Sequence, residues 1–328
     1  MTETALLPDP ASPLEHATAH AAFADMLDGR FEDAAVAGFL TDLSLRGETS
    51  VEIAAAALAM RERMIEVAAP PGAIDVCGTG GDGSHSLNVS TAVAIVVAAA
   101  GVPVAKHGNR AASSKAGAAD TLEALGLDLD RASAAAEQTL ADLGIAFLFA
   151  QKHHPALAQL APIRRAIGRR TIFNLLGPLA NPARVTRQLI GIARPDYLET
   201  VAGAVELLGT ESTMLVAGEE PLDELSVAGP SRVLRVGATP ERVEPEDAGL
   251  ARHPLDALRG GDAAFNAAAL RMLLAGEPGA YRDAVLLNAA GALIVAGRTN
   301  DWREGGSQAA AAIDSGAASR LLDRWIAA

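Results

Sequence analysis

The sequence predicts an α/β protein: a mainly parallel sheet flanked by helices, with a smaller all-α domain ahead of it. Three observations carry that expectation. From residue 71 onward short β-prone runs alternate with helical stretches, and such alternation buries a parallel sheet between two layers of helices. The stretch before it has helical periodicity and no strand-like run. Finally, 328 residues of which 50% are apolar suffice for one large core and a smaller one. The expected division is a helical unit over 1–70 and an α/β unit over 71–328. The segment around 160–183 breaks the β/α rhythm with a helical, basic stretch and is expected to cross back to the helical unit.

Each element has a local reason. Residues 1–13 carry several prolines and no periodicity, which reads as a loose tail. Val36, Phe39, Leu40 and Leu43 share one helical face, and Gly47 stands where a C-terminal cap belongs. Thr49 with Glu52 forms a capping box before a helix over Ile53–Met64. After Pro70 and Pro71, strands are expected over Ala73–Cys77, Val102–Ala105, Ile145–Ala150, Gln188–Ala193 and Ser212–Ala217. Helices are expected over Ser90–Gly101 and Tyr197–Leu208. Ligands of such sheets bind in loops at the carboxyl ends of the strands. Two polar clusters, residues 78–91 and 106–118, follow strands in that way.

Composition excludes several classes. Aromatic residues are 3% of the chain, so the core must be built from Ala, Val, Leu and Ile on closely packed elements. Cys77 is the single cysteine, which rules out an internal disulfide and, with no signal-like start, fits a reducing cytoplasm. The apolar run Ser90–Gly101 falls well short of the roughly 20 residues a membrane span needs, so no membrane is expected. A formal net charge of −13 argues against binding nucleic acid.

The first loop, "DVCGTGGDGSHSLNVST" (Asp75 to Thr91), contains G-x-G-x-x-G at Gly78, Gly80 and Gly83. A dinucleotide site would need a helix opening at once and an acidic residue ending the second strand. Neither is present: polar residues intervene before Ser90, and the second strand ends in Lys106. What remains is a set of glycines that let backbone N–H groups converge on an anion, followed by Asn88, Ser90 and Thr91 at a helix N-terminus suited to a second anion. Lys106, Asn109, Arg110, Ser113 and Ser114 follow the neighbouring strand with cations and hydroxyls. Together the loops suit one molecule with two separated phosphate groups.

These motifs, with "FLFAQKHHPA" (Phe147 to Ala156), "RRTIFNLLGPLANP" (Arg169 to Pro182) and "LDE" (Leu222 to Glu224), resemble the anthranilate phosphoribosyltransferase family of tryptophan biosynthesis, in order and through most of the chain. The resemblance implies a nucleoside phosphorylase/phosphoribosyltransferase-like fold and a homodimer through the helical domain. It implies transfer of the phosphoribosyl group of 5-phosphoribosyl 1-pyrophosphate (PRPP) to the amine of anthranilate, with Mg²⁺. PRPP would be lined by Gly78, Gly81, Asp82, Ser86, Asn88, Val89, Ser90 and Thr91, then by Lys106, His107, Gly108, Asn109, Arg110, Ser113, Ser114 and Ala118. The anthranilate carboxylate would meet Arg164, with Gly78 and Asn109 nearby. Asp223, Glu224 and Ser90 would hold Mg²⁺, and Lys106, Asp223 and Glu224 would carry catalysis.

Two questions stay open at this level. The Asp223-Glu224 pair suits a metal or, alternatively, the N-cap of a short helix, and His107, His153 and His154 suit a base, a metal pair or plain structure. The chain also departs from the family: alanine stands at 111, 112, 116 and 118 where serine is common, Ser86 replaces threonine, and "AGEEPLDE" (Ala217 to Glu224) replaces an "HGEDGLDE" pattern. The competing functions are a pyrimidine nucleoside phosphorylase-like enzyme, whose motifs lack "FNLLGPLANP", and a non-catalytic nucleic-acid-binding relative.

Overall fold

The computed structural model describes residues 6–111, 115–220 and 222–328. Ser113 and Ser114, expected in the phosphate loop, lie outside the described residues. Helices α1 (His16–Leu27), α2 (Asp33–Arg46) and α3 (Ser50–Arg61) come first. Val36, Phe39, Leu40 and Leu43 form the buried face of α2, and Gly47 follows it at φ 95°, a backbone state that glycine adopts without a Cβ penalty. Thr49 and Glu52 make the expected capping box. The fully buried Glu52 carboxylate also accepts the Leu14 N–H (2.9 Å) and pairs with Arg46 (2.5 Å), so one acid ties the N-terminal segment to α2 and α3.

The helix expected to reach Met64 stops at Arg61. Arg61 Nε instead donates to the Leu179 carbonyl (2.7 Å), and the chain turns so that the Ile65 N–H reaches the His153 carbonyl (2.8 Å).

The sheet contains β1 (Ile74–Gly78), β2 (Val104–Gly108), β3 (Ile145–Phe149), β4 (Arg187–Gly191), β5 (Ser212–Gly218), β6 (Ser231–Arg235) and β7 (Glu241–Val243). Their order is β3-β2-β1-β4-β5-β6-β7. Pairing is parallel from β3 to β5 and antiparallel for β6 and β7. Helix α4 (Val89–Ala99) follows β1 and is apolar on every side because it is covered on every side. Between β2 and β3 run α5 (Ala118–Ala124), α6 (Leu129–Ala134) and α7 (Ala136–Leu143). Helices α8 (Ala150–His153) and α9 (Leu160–Ile167) lead to β4, and α10 (Leu198–Leu208) joins β4 to β5. The chain closes with α11 (Ala263–Leu274), α12 (Ala280–Val295), α13 (Trp302–Asp314) and α14 (Ala317–Ala327), and α4 lies against α12, α13 and α14.

Two large cores result. One joins α4, the closing helices and one face of the sheet through Val93, Ile95, Leu189, Leu287 and Leu293. The other joins α1–α3 to the opposite face. Leu160, Ile163, Ile172 and Phe173 belong to this second core with Phe23, Leu40, Ile190 and Leu215. Among the described residues no helix is long and apolar enough to cross a membrane.

One boundary changes the site. The second strand was expected to end at Ala105, with Lys106 and His107 in the loop, but β2 starts at Val104 and runs to Gly108. Pro103 cannot donate to a ladder, whereas Phe147, Leu148 and Phe149 pair alongside Lys106, His107 and Gly108. Lys106 and His107 are therefore buried strand residues, 2% and 3% exposed, pointing to opposite faces of the sheet.

A fully buried carboxylate sits at this junction. Asp75 accepts the His107 N–H (3.1 Å) and an amide hydrogen of Asn181 (2.8 Å), which also donates to the Ala105 carbonyl (2.8 Å). Burial pushes Asp75 up to about 6, against the opposing pull of Lys106. A carboxyl raised in the folded state contributes stability that is full below its unfolded value, near 3.9, and lost as pH rises through its folded one. Asp75→Asn lacks this slope. Between pH 4 and pH 8 the wild type should therefore lose about 2–3 kcal/mol relative to the variant. Urea unfolding at several pH values measures this, and parallel stability curves would refute it.

Candidate active site

The site lies where β1, β4 and β5 end. Gly78 closes β1 and Gly191 closes β4, side by side in register. The chain leaving β5 folds back over both: a Cβ on Gly191 would stand 1.7 Å from the Asp223 carbonyl oxygen, and one on Gly78 would stand 2.1 Å from Asp223 Oδ2. No helix follows Asp223, which lies in a bend, so the capping alternative fails. Asn288, fully buried in α12, fixes the bend by accepting the Leu225 N–H (2.9 Å) and donating to the Leu225 carbonyl (3.0 Å).

The two acids of this bend reach both ends of the first loop, its glycines and the start of α4. Asp223 Oδ2 accepts the Gly80 N–H (2.6 Å), and Glu224 Oε1 accepts the Ser90 N–H (3.2 Å) at the start of α4. Asp82 stands beside them, bonded to Ser84 and to the Asp223 N–H (3.4 Å). Burial, then the Asp82 charge, pushes Asp223 up to about 7, and burial together with Asp223 pushes Glu224 well above the usual carboxylate range. Two buried acids that resist ionisation, with a third carboxylate beside them, are an arrangement a divalent cation relieves. Among the described residues no three such ligands form a complete metal cage. The donors therefore fit a hard cation that keeps water and substrate oxygens, the usual habit of Mg²⁺.

The anion cradle has two parts. Gly80, Gly81 and Gly83 take φ of 68°, 74° and 78°, and the N–H groups of Gly81, Asp82 and Gly83 have no partner among the described residues. At α4 the Thr91 hydroxyl is buried without a partner. The loop between the two parts is held by its neighbours. Ser86 pairs with Arg259 across an isolated bridge, the Leu87 N–H reaches the Leu258 carbonyl (2.8 Å), and Val89 is buried as the first residue of α4. Asn88 turns its side chain inward, its Oδ1 accepting from Thr121 (2.5 Å) and Asn266 (2.9 Å).

Lys106 lies behind the site. Its ammonium donates to the Val76 carbonyl (2.8 Å) and to Ser90 Oγ (3.3 Å), so its charge acts from beneath the strand ends. On the opposite face His107 Nδ1 meets the Gly177 carbonyl (2.8 Å), which makes Nδ1 the protonated nitrogen and leaves the buried Nε2 as an acceptor without a partner. The His154 ring centroid lies 5.1 Å away. Burial lowers His107 to about 3 and His154 to about 4, so both are neutral at pH 7.

Other expected residues fall differently. Gly108 packs against Phe147 and Ala118, the latter opening α5. Asn109 is tied locally, its side-chain oxygen accepting the Arg110 N–H (2.8 Å). Arg110 pairs with Asp120 (2.9 Å) and both oxygens of Glu123 and lies over the Phe149 ring. Arg164 is half-buried on α9, 5.7 Å from the centre of the Phe173 ring, and lowered by burial, with no carboxylate among the described residues acting on it. Sequence reasoning missed Asn288, Asn266 and Arg170. Asn288 had a signal, a lone amide inside the apolar run "VLLNAAGALIV" (Val285 to Val295).

The glycines yield a graded test. Gly80 has open space around it, so Gly80→Ala should cost only the left-handed backbone penalty, about 1–2 kcal/mol. Gly191→Ala must displace the Asp223 backbone and should cost about 3 kcal/mol, the upper end for overpacking. Equal losses in urea unfolding would mean that the bend does not press on β4.

Comparisons with known proteins bear on this arrangement. Residues 10–64 match the helical bundle domain of the glycosyl transferase family, and residues 70–319 match its a/b domain. The chain is 64% identical to the anthranilate phosphoribosyltransferase of Novosphingobium aromaticivorans, covering 98% of this chain and 99% of that one. It is likewise 64% identical to the enzyme of that name from Sphingopyxis alaskensis, covering 98% and 97%. Among solved structures, the anthranilate phosphoribosyltransferase of Thermus thermophilus superposes with a TM-score of 0.91 at 44% identity, covering 97% of this chain and 96% of that one. The Saccharomyces cerevisiae enzyme in complex with PRPP and Mg superposes with a TM-score of 0.89 at 29% identity, covering 96% and 93%.

Proposed function

The chain belongs to the anthranilate phosphoribosyltransferase family, and from that premise we propose which of its residues carry the reaction. The protein transfers the phosphoribosyl group of PRPP to the amine of anthranilate, releasing pyrophosphate, a step of tryptophan biosynthesis that uses Mg²⁺. The phosphorylase and nucleic-acid-binding alternatives are not favoured against relatives of this identity.

The observation that carries the site assignment is the bend whose two carboxylates touch the glycines and the α4 start of the first loop at once. In the proposed reading, the Gly81–Gly83 N–H groups and the start of α4 hold the two phosphate-bearing ends of PRPP. Asp223, Glu224 and Ser90 would hold Mg²⁺, whose positive charge would offset that of the pyrophosphate. The ribose C1–O bond breaks with its electron pair on pyrophosphate, and the anthranilate nitrogen forms the new bond to C1 and then releases a proton. Lys106 adds fixed positive charge behind the leaving group, in a site where preorganised charge is most effective. His107 offers a neutral wall rather than a second cation. Arg164 takes the anthranilate carboxylate, since a half-buried guanidinium without an anion is completed by one. The aniline nitrogen needs no strong base to begin attack, because its lone pair is already available.

The wider reading is a helical unit over 1–70, a transferase unit over 71–328 and a crossing segment near 160–183. With it goes a homodimer through the helical unit, in the cytoplasm. Leu45 on α2, 63% exposed, gives that unit apolar surface for such a contact.

Two outcomes test the residue roles. Arg164→Ala should weaken anthranilate binding by about 1.5–3 kcal/mol, the scale of a charge-assisted pair, while PRPP binding changes little. Equal losses for both substrates in titrations would remove Arg164 from the anthranilate site. Asp223→Asn combined with Glu224→Gln should fold normally, raise half-saturating Mg²⁺ and lower turnover. Wild-type turnover and Mg²⁺ dependence in that double variant would overturn the metal assignment.

A further inference from the structure

Arg170 lies outside every motif assigned above to substrate. Its Nη1 donates to the Gly81 carbonyl (3.0 Å), and a Cβ on Gly81 would stand 2.9 Å from that nitrogen. The guanidinium therefore lies against the tip of the glycine loop, at a residue whose φ of 74° favours glycine. Its own backbone is pinned on both sides. Ser44 Oγ of α2 donates to the Arg170 carbonyl (2.9 Å), and the next N–H, that of Thr171, reaches Asn174 Oδ1 (3.0 Å).

We propose that Arg170 is a positioning residue that sets the glycine loop for PRPP and ties its geometry to helix α2. The peptide plane supplies the reason. In a trans peptide the carbonyl of Gly81 and the N–H of Asp82 point in opposite directions. Fixing the carbonyl on Arg170 therefore fixes the Asp82 N–H away from it. The Gly80 N–H is fixed in turn by Asp223 (2.6 Å), so the loop tip is clamped by an arginine on one side and an acid on the other. Gly80 and Gly81 both have positive φ, a state open to glycine in many other forms. Without the two clamps the tip would have several conformers, and its unpartnered N–H groups would converge on an anion in few of them. The clamp reaches further, because the carbonyl of Arg170 is held by α2 through Ser44. A shift of α2 is thereby transmitted to the phosphate loop by two hydrogen bonds and one side chain.

This inference rests on the PRPP reading of the loop. It is tested on the full-length protein with steady-state kinetics in both substrates and with calorimetry of Mg²⁺-pyrophosphate. Arg170→Ala should raise the PRPP KM and the pyrophosphate Kd about tenfold, the scale of one ordered hydrogen bond, and leave the anthranilate KM and Tm unchanged. Arg170→Gln, which keeps a donor but no charge, should recover most of that loss. Ser44→Ala should show a smaller loss in the same two constants, and adding it to Arg170→Ala should change nothing more, as expected of residues acting in series. Three results would overturn the proposal: Arg170→Ala within twofold of wild type; recovery by Arg170→Lys but not by Arg170→Gln, which would make Arg170 a direct phosphate contact; or a fall in Tm with equal loss of both substrates. Absence of turnover in the wild type would instead overturn the PRPP-anthranilate reading, and the pyrophosphate titration would still decide the role of Arg170.

Discussion

The close approach of the Asp223 backbone to the ends of β1 and β4 is the constraint on which the site depends. Two parallel neighbours end in glycine at the same level, Gly78 opposite Gly191, and the absent side chains form a shelf. The bend after β5 lies on that shelf, held from behind by Asn288. Any Cβ on the shelf would lift the bend, because the nearest atoms are main chain at Gly191 and carboxylate at Gly78. A lifted bend would carry Asp223 off the Gly80 N–H and Glu224 off the Ser90 N–H. The first glycine of the phosphate loop thus has its main effect on an acid nearly 150 residues further along the chain.

Electrostatics follow from this packing. Three acids meet at the strand ends, and burial makes negative charge on two of them, Asp223 and Glu224, costly. The opposing positive charge comes from Lys106, which is under the sheet edge and not in the crevice. A buried ammonium needs partners, and it has the Val76 carbonyl and Ser90 Oγ, with the Asp75 carboxyl acting through space. Its direct bond to Ser90 links it to the N-terminus of α4, whose N–H groups already favour anions. Lys106, the helix terminus and a cation bound by the bend would surround an anion from three directions.

Much of this was legible in the residues. The capping box at Thr49, the Gly47 cap, the five parallel strands and the glycine loop after β1 all rest on local chemistry that a sequence displays directly. The misread end of β2 has a physical cause. Lys106, His107 and Gly108 have no β preference of their own, and they are strand because β3 lies beside them, a contact that local pattern cannot show. The same lack of information hid β6 and β7, short antiparallel strands that close the sheet. Arg110 illustrates the limit in another way. Its motif suggested phosphate, but Asp120 and Glu123, ten and thirteen residues on, hold it at the mouth of α5. Asn288 was readable in principle, because an amide inside an apolar helix must be hydrogen-bonded if it is buried.

The stretch from α9 to Thr171 carries both Arg164 and Arg170. The two are six residues apart, and on either side of them Ile163, Ile172 and Phe173 are embedded in the core shared with α1–α3. Both ends of the segment are therefore anchored in that core. One guanidinium stacks on Phe173 with no anion of its own, and the other grips the tip of the phosphate loop. On the proposed roles, a move of the helical unit relative to the sheet would shift Arg164 and Arg170 together, because the stretch that carries them is anchored at both ends in one core. The order of the chemistry gives that coupling a use. An oxocarbenium-like centre formed before the amine is in line would be lost to water, so loop geometry and acceptor position are best set by a single element.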